Sequence, residues 1–520
     1  MKGEWKLTAG KEILSGSADI RKGKCIITAE ADGILTSCEM ELRVPCSAHE
    51  TIFMNGYQTW TTCPEYTPSS SIRGLHGIPR AAVNHYSFDR YSDYHFAEYP
   101  NQKGILHGFS WMYLKKGEFY RLFASLDEEP GYTMFRYDAN TGSLKISRDC
   151  AGLRVSGEYH VFDLFYAEGS EDEVFDRWFA ALQIRPRTTS KLYGYSSWYN
   201  RYQNIDQEAI LSDLEGSMKI LKPGDLFQID DGWEPFIGDW LEPDPVKFPD
   251  GMKNAADSIH EKGFRAGIWL APFAAEEKSR LFRDHQDWFV KENGSPWKCG
   301  CNWSGFYGLD IDHPEVIDYL KKVFDRVLNE WGYDLVKLDF LYGAAAFGNE
   351  RETRAGRMIR AMKLLRELCG DKLILGCGVP VMPAFGIVDY CRIGCDVTLD
   401  WNDKPYMRII HRERPSTKNA IANIISRRQV NGRAYMSDPD VFFLRDENTT
   451  LSPGQKEKLA ALCALLGGVF MTSDDAGQYS DGTVKNYQRL RHLSEAQSVV
   501  YHADGTVDYV LDGQEQTIKL

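Results

Sequence analysis

Lys337 and Asp339 stand two residues apart in the run Leu335 to Phe340, an otherwise apolar stretch with Gly332-Tyr333 before it and Leu341-Tyr342-Gly343 after it. On an extended backbone side chains alternate between faces, so both project from the same side. A short apolar run between turn residues predicts a buried parallel strand. A lone Lys and a lone Asp inside such a core would each cost several kcal/mol. The carboxyl end of this strand must therefore open onto a polar pocket, and Asp339 is the first candidate for chemistry. Aspartates end comparable runs elsewhere: Asp230-Asp231, Asp396, Asp438 and Asp440, and Asp474-Asp475. Trp198, Trp233, Trp269 and Arg392 stand near such ends, and no His does.

Carboxylates gathered at one mouth repel one another unless a divalent metal or a hydroxyl-rich ligand binds. A metal would call for His or close carboxylate ligation with supporting partners. The strand ends offer no such set, so no metal and no cofactor is expected. Trp rings that stack on sugar faces, beside charged groups that bridge hydroxyls, predict a carbohydrate pocket instead, with Trp198 and Trp269 among its rings. Glycoside hydrolysis needs two carboxyl groups flanking the bond. Asp339 and Asp396, two strands apart, are the pair expected to face each other across a sugar. Lys337 is expected to hold the Asp339 carboxylate ionised, as a nucleophile requires. Asp396 follows Ile393-Gly394-Cys395, an apolar setting expected to raise its pKa toward an acid's role. Arg392 would oppose that if it lay close. Asp438, Asp440, Asp474 and Asp475 read as structural or rim residues.

Those aspartates need a scaffold that brings strand ends together. From Leu192 onward eight short apolar runs alternate with amphipathic stretches such as EVIDYLKKVFDRVLNEWG and TRAGRMIRAMKLLRELCG. Eight such units over this length predict an α/β chain with a (β/α)8 barrel, whose active sites lie at the carboxyl ends of the strands. A doubly wound open sheet is the alternative, but no Gly-rich fingerprint follows the first strand. Residues 1–185 show alternating β-type runs and frequent turn residues, which predict an antiparallel sandwich ending in a helix over about 171–183. Two polar-aromatic stretches in it, NGYQTW (55–60) and NHYSFDRYSDYHF (84–96), are expected to be loops that reach a neighbouring surface. Residues 186–483 would form the barrel. Residues 484–520 would form a short C-terminal β segment, with a hairpin at Asp512-Gly513.

The chain has 520 residues and a net charge of -13, and no Lys/Arg cluster, which argues against nucleic acid. No stretch approaches a membrane span, and the N-terminal residues show no apolar leader core. Twelve cysteines without a framework spacing fit reduced thiols and a cytoplasmic location. The partner expected is a small oligosaccharide; oligomeric state is left open, a homo-oligomer included.

LVKLDF, FQIDDGWE followed by GDW and KFPDGMK, GIWLAPF, LGCG and CRIGCD, taken in their order and spacing, resemble the α-galactosidases (melibiases) of glycoside hydrolase family 36. GYQTW resembles that family's Trp-bearing loop, which leans into the active site. The resemblance implies Asp339 as nucleophile and Asp396 as general acid/base in a retaining double displacement on terminal α-linked galactose. It implies that Asp230 and Asp231, helped by Lys337, hold the axial and primary hydroxyls. It further implies Trp269 and Trp60 against the sugar, Cys377 in the pocket lining and Arg392 near the 2-hydroxyl. Many family members are longer, with a larger sandwich and a full C-terminal β-domain. A raffinose-synthase-like transglycosylase would share every catalytic residue, and an α-N-acetylgalactosaminidase would need more room at the 2-position. A non-catalytic sugar-binding barrel and a metal-dependent barrel hydrolase are the alternatives of other kinds.

Overall fold

Runs that bury almost every side chain become the parallel strands of the barrel, because a strand covered on both faces carries apolar residues throughout. A computed structural model describes residues 1–410 and 412–520, apart from the side chains of residues 409 and 410. The barrel strands are β1 Leu192–Ser196, β2 Leu226–Ile229, β3 Arg265–Leu270 and β4 Leu335–Leu338. They continue with β5 Leu373–Gly376, β6 Tyr390–Arg392, a divided β7 (Met436–Asp438 and Val441–Phe442) and β8 Val469–Thr472. Every neighbouring pair is parallel.

The two pieces of β7 close the ring. The first pairs with β6 through Tyr390–Met436, and the second pairs with β8 through Val441–Met471. Pro439 stands at the break, where it has no N–H to give to a ladder. Asp440 next to it has a left-handed φ of 75°. The Gly468 N–H donates to the Ser437 carbonyl at 2.7 Å, which ties the first piece to the start of β8 as well.

Helices between the strands begin at side-chain caps. Thr353 accepts from the Gly356 N–H at the start of Arg354–Cys369, and Ser452 and Gln455 form a reciprocal box ahead of Pro453–Leu466. The connection after β3 carries a small sheet of Ala274–Glu276, Lys298–Gly300 and Phe306–Gly308. Strands of three residues leave no periodic trace, and this sheet is not legible in the sequence.

The N-terminal domain is an antiparallel sandwich. Its longest strand, Gly23–Arg43, pairs with Arg154–Gly169 along its first half and with Ser143–Asp149 along its second, so one strand serves both layers. Helix Glu171–Leu182 follows, capped by Ser170 and Glu173, and buries Val174, Phe175 and Trp178. Trp178 and Trp111 of the sandwich pack on Phe385 of the barrel with ring centres 6.0 and 6.1 Å away, so one apolar core crosses the boundary.

The C-terminal reading needs a correction. Residues from 484 onward begin inside helix Asp481–Leu493, and β structure starts only at Gln497. There the strands Gln497–Tyr501, Thr506–Leu511 and Gln514–Lys519 form an antiparallel sheet. Asp512 and Gly513 both take positive φ in its last turn, as a tight two-residue hairpin requires.

Candidate active site

The carboxyl ends of the barrel strands open onto a cavity of about 470 Å³ lined by Asp230, Asp231, Lys337, Asp339, Asp396 and Trp269, among others. Asp339 follows β4 directly. Its Oδ2 accepts from the Trp269 indole N–H at 3.1 Å and its Oδ1 from the Phe340 N–H at 2.9 Å. Phe340 itself takes a left-handed φ of 53°. That conformation costs a non-glycine residue about 1–2 kcal/mol and persists where surrounding packing fixes it. Here the Phe340 ring is held by Trp60 and Trp303, with centres 4.9 and 4.8 Å away.

Lys337 does not serve Asp339 first. Its Nζ lies 3.0 Å from Asp230 Oδ2, on the strand two places away across the sheet. Burial alone would lower the Lys337 pKa, but the charges of Asp230 and Asp339, with others nearby, together outweigh it and keep the ammonium. The Asp339 carboxyl sits above its ordinary value because burial outweighs the pull of Lys337 and the Trp269 N–H. Lys337 favours the ionised Asp339, as expected, but works against a larger desolvation effect. Gln228 Nε2 at 2.8 Å and the Asp231 N–H, which reaches Oδ1 at 3.0 Å, complete the fixing of Asp230.

Asp231 accepts at Oδ2 from Gln203 Nε2 at 2.8 Å and Trp303 Nε1 at 3.1 Å. Its Oδ1 is buried and has no partner among the described residues. Burial raises its pKa. Glu234 lies beneath it, fully enclosed, and burial together with the Asp231 charge pushes that carboxyl well above the usual range.

Asp396 stands on the connection after β6, with its side chain 42% exposed, and its Oδ1 accepts from Arg392 Nη1 at 2.8 Å. The apolar setting expected for it is absent, because the guanidinium behind it is in direct contact. Arg392 itself is buried and does not line the cavity. It spans Asp396, Asp440 at 3.0 Å and Asp438 at 3.4 Å, and so supports Asp396 from behind. Asp440 also accepts from Tyr199 and from the Val397 N–H. Its carboxyl is pushed up to about 6 by burial, against the pull of Arg392.

Cys377 is likewise behind the wall and not in it. The Trp60 indole N–H donates to its Sγ at 3.1 Å, and Trp60 is what meets the cavity. Gly378, with φ of 55°, lets this happen: a Cβ there would sit 2.8 Å from both the Trp60 ring and the Phe340 nitrogen. Trp60 arrives from the sandwich on a loop clasped by Arg427. That fully buried guanidinium makes five hydrogen bonds, to Asn55 Oδ1, the carbonyls of Gly56, Gln58 and Thr59, and the barrel carbonyl of Ile393. Asn423 adds bonds to Thr61 and Cys63.

Trp198 and Trp269 line the cavity as expected. Gln203, Trp303, Tyr91, Asn302 and Glu413 line it too, and sequence reasoning missed them. Tyr91 comes from the polar-aromatic stretch expected to reach a neighbouring surface, and its hydroxyl donates to Asn302 Oδ1 at 2.6 Å. The others lie on long irregular connections without periodic pattern. Glu413, bonded by Gln58 Nε2 at 2.6 Å, is pushed up to about 7 by burial. Among the described residues, a His and carboxylates with metal-ligand spacing do meet at Asp287, His313 and Glu315, none of which lines this cavity.

A model of the Melibiase family matches residues 193–364. An α-galactosidase of Escherichia coli is 30% identical over 183 residues, which is 33% of this chain and 25% of that protein. The α-galactosidase Mel36A of Lactobacillus acidophilus is 26% identical over 164 residues, 30% of this chain and 21% of that protein. The matched stretch thus spans about a quarter or less of the length of these relatives. A solved α-galactosidase from Thermus thermophilus, in complex with p-nitrophenyl α-D-galactopyranoside, is 26% identical and covers 98% of both chains with a TM-score of 0.75. The family 36 α-galactosidase AgaA of Geobacillus stearothermophilus is 14% identical, covers 96% of this chain and 71% of its own, and shares the fold with a TM-score of 0.60.

Proposed function

We propose that this chain, which carries a melibiase domain and is folded from end to end like the family 36 α-galactosidases, is a retaining, exo-acting α-galactosidase that releases terminal α-linked galactose from short oligosaccharides. The observation that carries the reading is the unequal pair of carboxylates on one cavity. Asp339 is buried and held at both oxygens by N–H donors, which suits a nucleophile with a fixed line of attack. Asp396 is half-exposed and has one oxygen on Arg392, which leaves the other free to exchange a proton with substrate and water.

In the first step an Asp339 oxygen attacks the anomeric carbon while Asp396 gives its proton to the glycosidic oxygen and the aglycone leaves. A galactosyl ester on Asp339 results. In the second step Asp396 takes a proton from water, the water oxygen bonds to the anomeric carbon, and Asp339 departs as carboxylate. Asp230 and Asp231, both on the cavity wall, accept hydrogen bonds from the sugar hydroxyls. Lys337 sits between the sugar-binding and nucleophilic carboxylates and balances their charge. Trp269, Trp60 and Trp198 supply the apolar walls. All twelve cysteines are free thiols, which supports a reducing compartment such as the cytoplasm.

The test is chemical rescue. Asp339→Gly should abolish cleavage of p-nitrophenyl α-galactoside, and azide should restore it with β-galactosyl azide as product. Near-native turnover by the variant without azide would remove Asp339 as nucleophile.

A further inference from the structure

We propose that a second cavity, on the far side of the cleft wall, binds a phosphate-class oxyanion and that its occupancy steadies the wall. This cavity has a volume of about 350 Å³ and is lined by Arg73, Arg408, Arg412 and Arg414, with Tyr66 and Thr62. None of the described residues lining it is acidic. Four guanidinium groups around one space repel one another unless an anion stands among them, and their planar donor forks match phosphate oxygens.

Nearby acids answer part of this charge. Asp403 accepts from Arg408 Nε at 2.9 Å and lies 3.6 Å from Arg414 Nη1. Arg412 faces His107, whose Nε2 and carbonyl are both 3.4 Å from its terminal nitrogens, and His107 in turn meets Asp93 at 3.2 Å. The Arg412 Nε is buried without a partner among the described residues, on a residue only 4% exposed. A buried donor on a charged group is costly to leave unmade.

The two cavities share one strip of chain. Met407, Glu413 and Pro415 line the cleft, whereas Arg408, Arg412 and Arg414 line the cavity behind. Along residues 412–415, neighbours thus face opposite sides. The strip is also tied to the sandwich, since the Thr62 N–H donates to the Arg412 carbonyl at 3.1 Å and Gln58 holds Glu413. An anion that draws the arginines together fixes the positions of Glu413 and Pro415 on the other side. The ligand is either free inorganic phosphate or the phosphoryl group of a sugar phosphate.

Isothermal titration of the full chain with inorganic phosphate should give saturable binding at one site. Sodium chloride at matched ionic strength should give none. Arg73→Ala, at an exposed position, and the double variant Arg73→Ala/Arg414→Ala should each keep the wild-type melting profile. The double variant should bind phosphate at least about tenfold more weakly, the loss expected for charge-assisted hydrogen bonds. Glucose 6-phosphate is the second titrant: tighter binding than phosphate assigns the site to sugar phosphates, and equal or weaker binding assigns it to the free ion. Absence of saturable binding by both, or unchanged affinity in the double variant, overturns the site. With phosphate saturating, KM for p-nitrophenyl α-galactoside should fall about fivefold, the low end of ordinary coupling between sites. An unchanged KM with phosphate bound removes the link to the cleft. Because binding is read as heat, failure of this site and failure of the galactosidase reading are separable.

Discussion

Trp60 of the N-terminal sandwich donates its indole N–H to Cys377 Sγ beyond β5 at 3.1 Å, so a wall of the cleft belongs to one domain and is fastened to the other. Gly378 makes the fastening possible, since a Cβ there would press on both the Trp60 ring and the Phe340 nitrogen. Gly378→Ala should therefore disturb the wall and the Asp339 donor together. We expect kcat/KM to fall about a hundredfold, the scale of a displacement near 1 Å in a catalytic group. Steady-state kinetics within threefold of wild type would contradict the packing argument.

Asp396→Ala should lose about 10²–10⁴ in rate on substrates with poor leaving groups, because proton donation is what it contributes. On activated nitrophenyl galactosides the first step needs little help and the loss should be small. A series of aryl galactosides of graded leaving-group pKa reads the difference. Equal losses along the series would count against the acid role.

Trp269→Phe removes a hydrogen bond to the ionised form of Asp339. Burial already holds that carboxyl above its ordinary value, with Lys337 and the indole N–H opposing. Loss of one opponent should move the acid limb of the kcat/KM profile to higher pH. A limb that stays in place, or moves down, would show that the indole does not tune this group.

Glu413 gives a stability prediction with a definite sign. Its carboxyl is pushed up to about 7 in the folded chain by burial, above the usual glutamate value of about 4.3 for an unfolded one. The unfolded chain therefore releases its proton first as pH rises. The stability held by neutral Glu413 is fully present below the unfolded pKa and is lost as pH climbs through about 7. Glu413→Gln should lessen the fall in denaturation free energy between pH 5 and pH 8. An unchanged slope would refute the assignment.

Arg427→Met should destabilise the chain by about 3 kcal/mol or more, since several buried carbonyls lose their donors at once. KM should rise as well, because the clasped loop carries Trp60. Denaturant titration and kinetics on the same preparation check both. Destabilisation without any change in KM would separate the clasp from the cleft.

Which of these features the sequence revealed follows from how local they are. The barrel was legible because each strand is a short apolar run ending in a polar residue, and Asp230, Asp231, Asp339 and Asp396 lie within a few residues of those ends. Trp60 was legible through its odd polar-aromatic setting. Gln203, Trp303 and Glu413 were not, because long connections carry no periodicity and their approach to the cleft depends on distant contacts. Arg392 and Cys377 stand at their strand ends, but sequence gives the strand and not the depth of the side chain, and both are buried behind residues that line the cavity. Lys337 was paired with its nearest neighbour in sequence, whereas β3 lies between it and its true partner on β2.

The Arg427 clasp has a consequence for inheritance. Its donors belong to the barrel and nearly all its acceptors to the sandwich, so neither half presents a finished surface to a foreign mate. A chimera that grafts this barrel onto the sandwich of a distant relative would have to import residues 55–63 along with it. Recombination between paralogues should respect that seam.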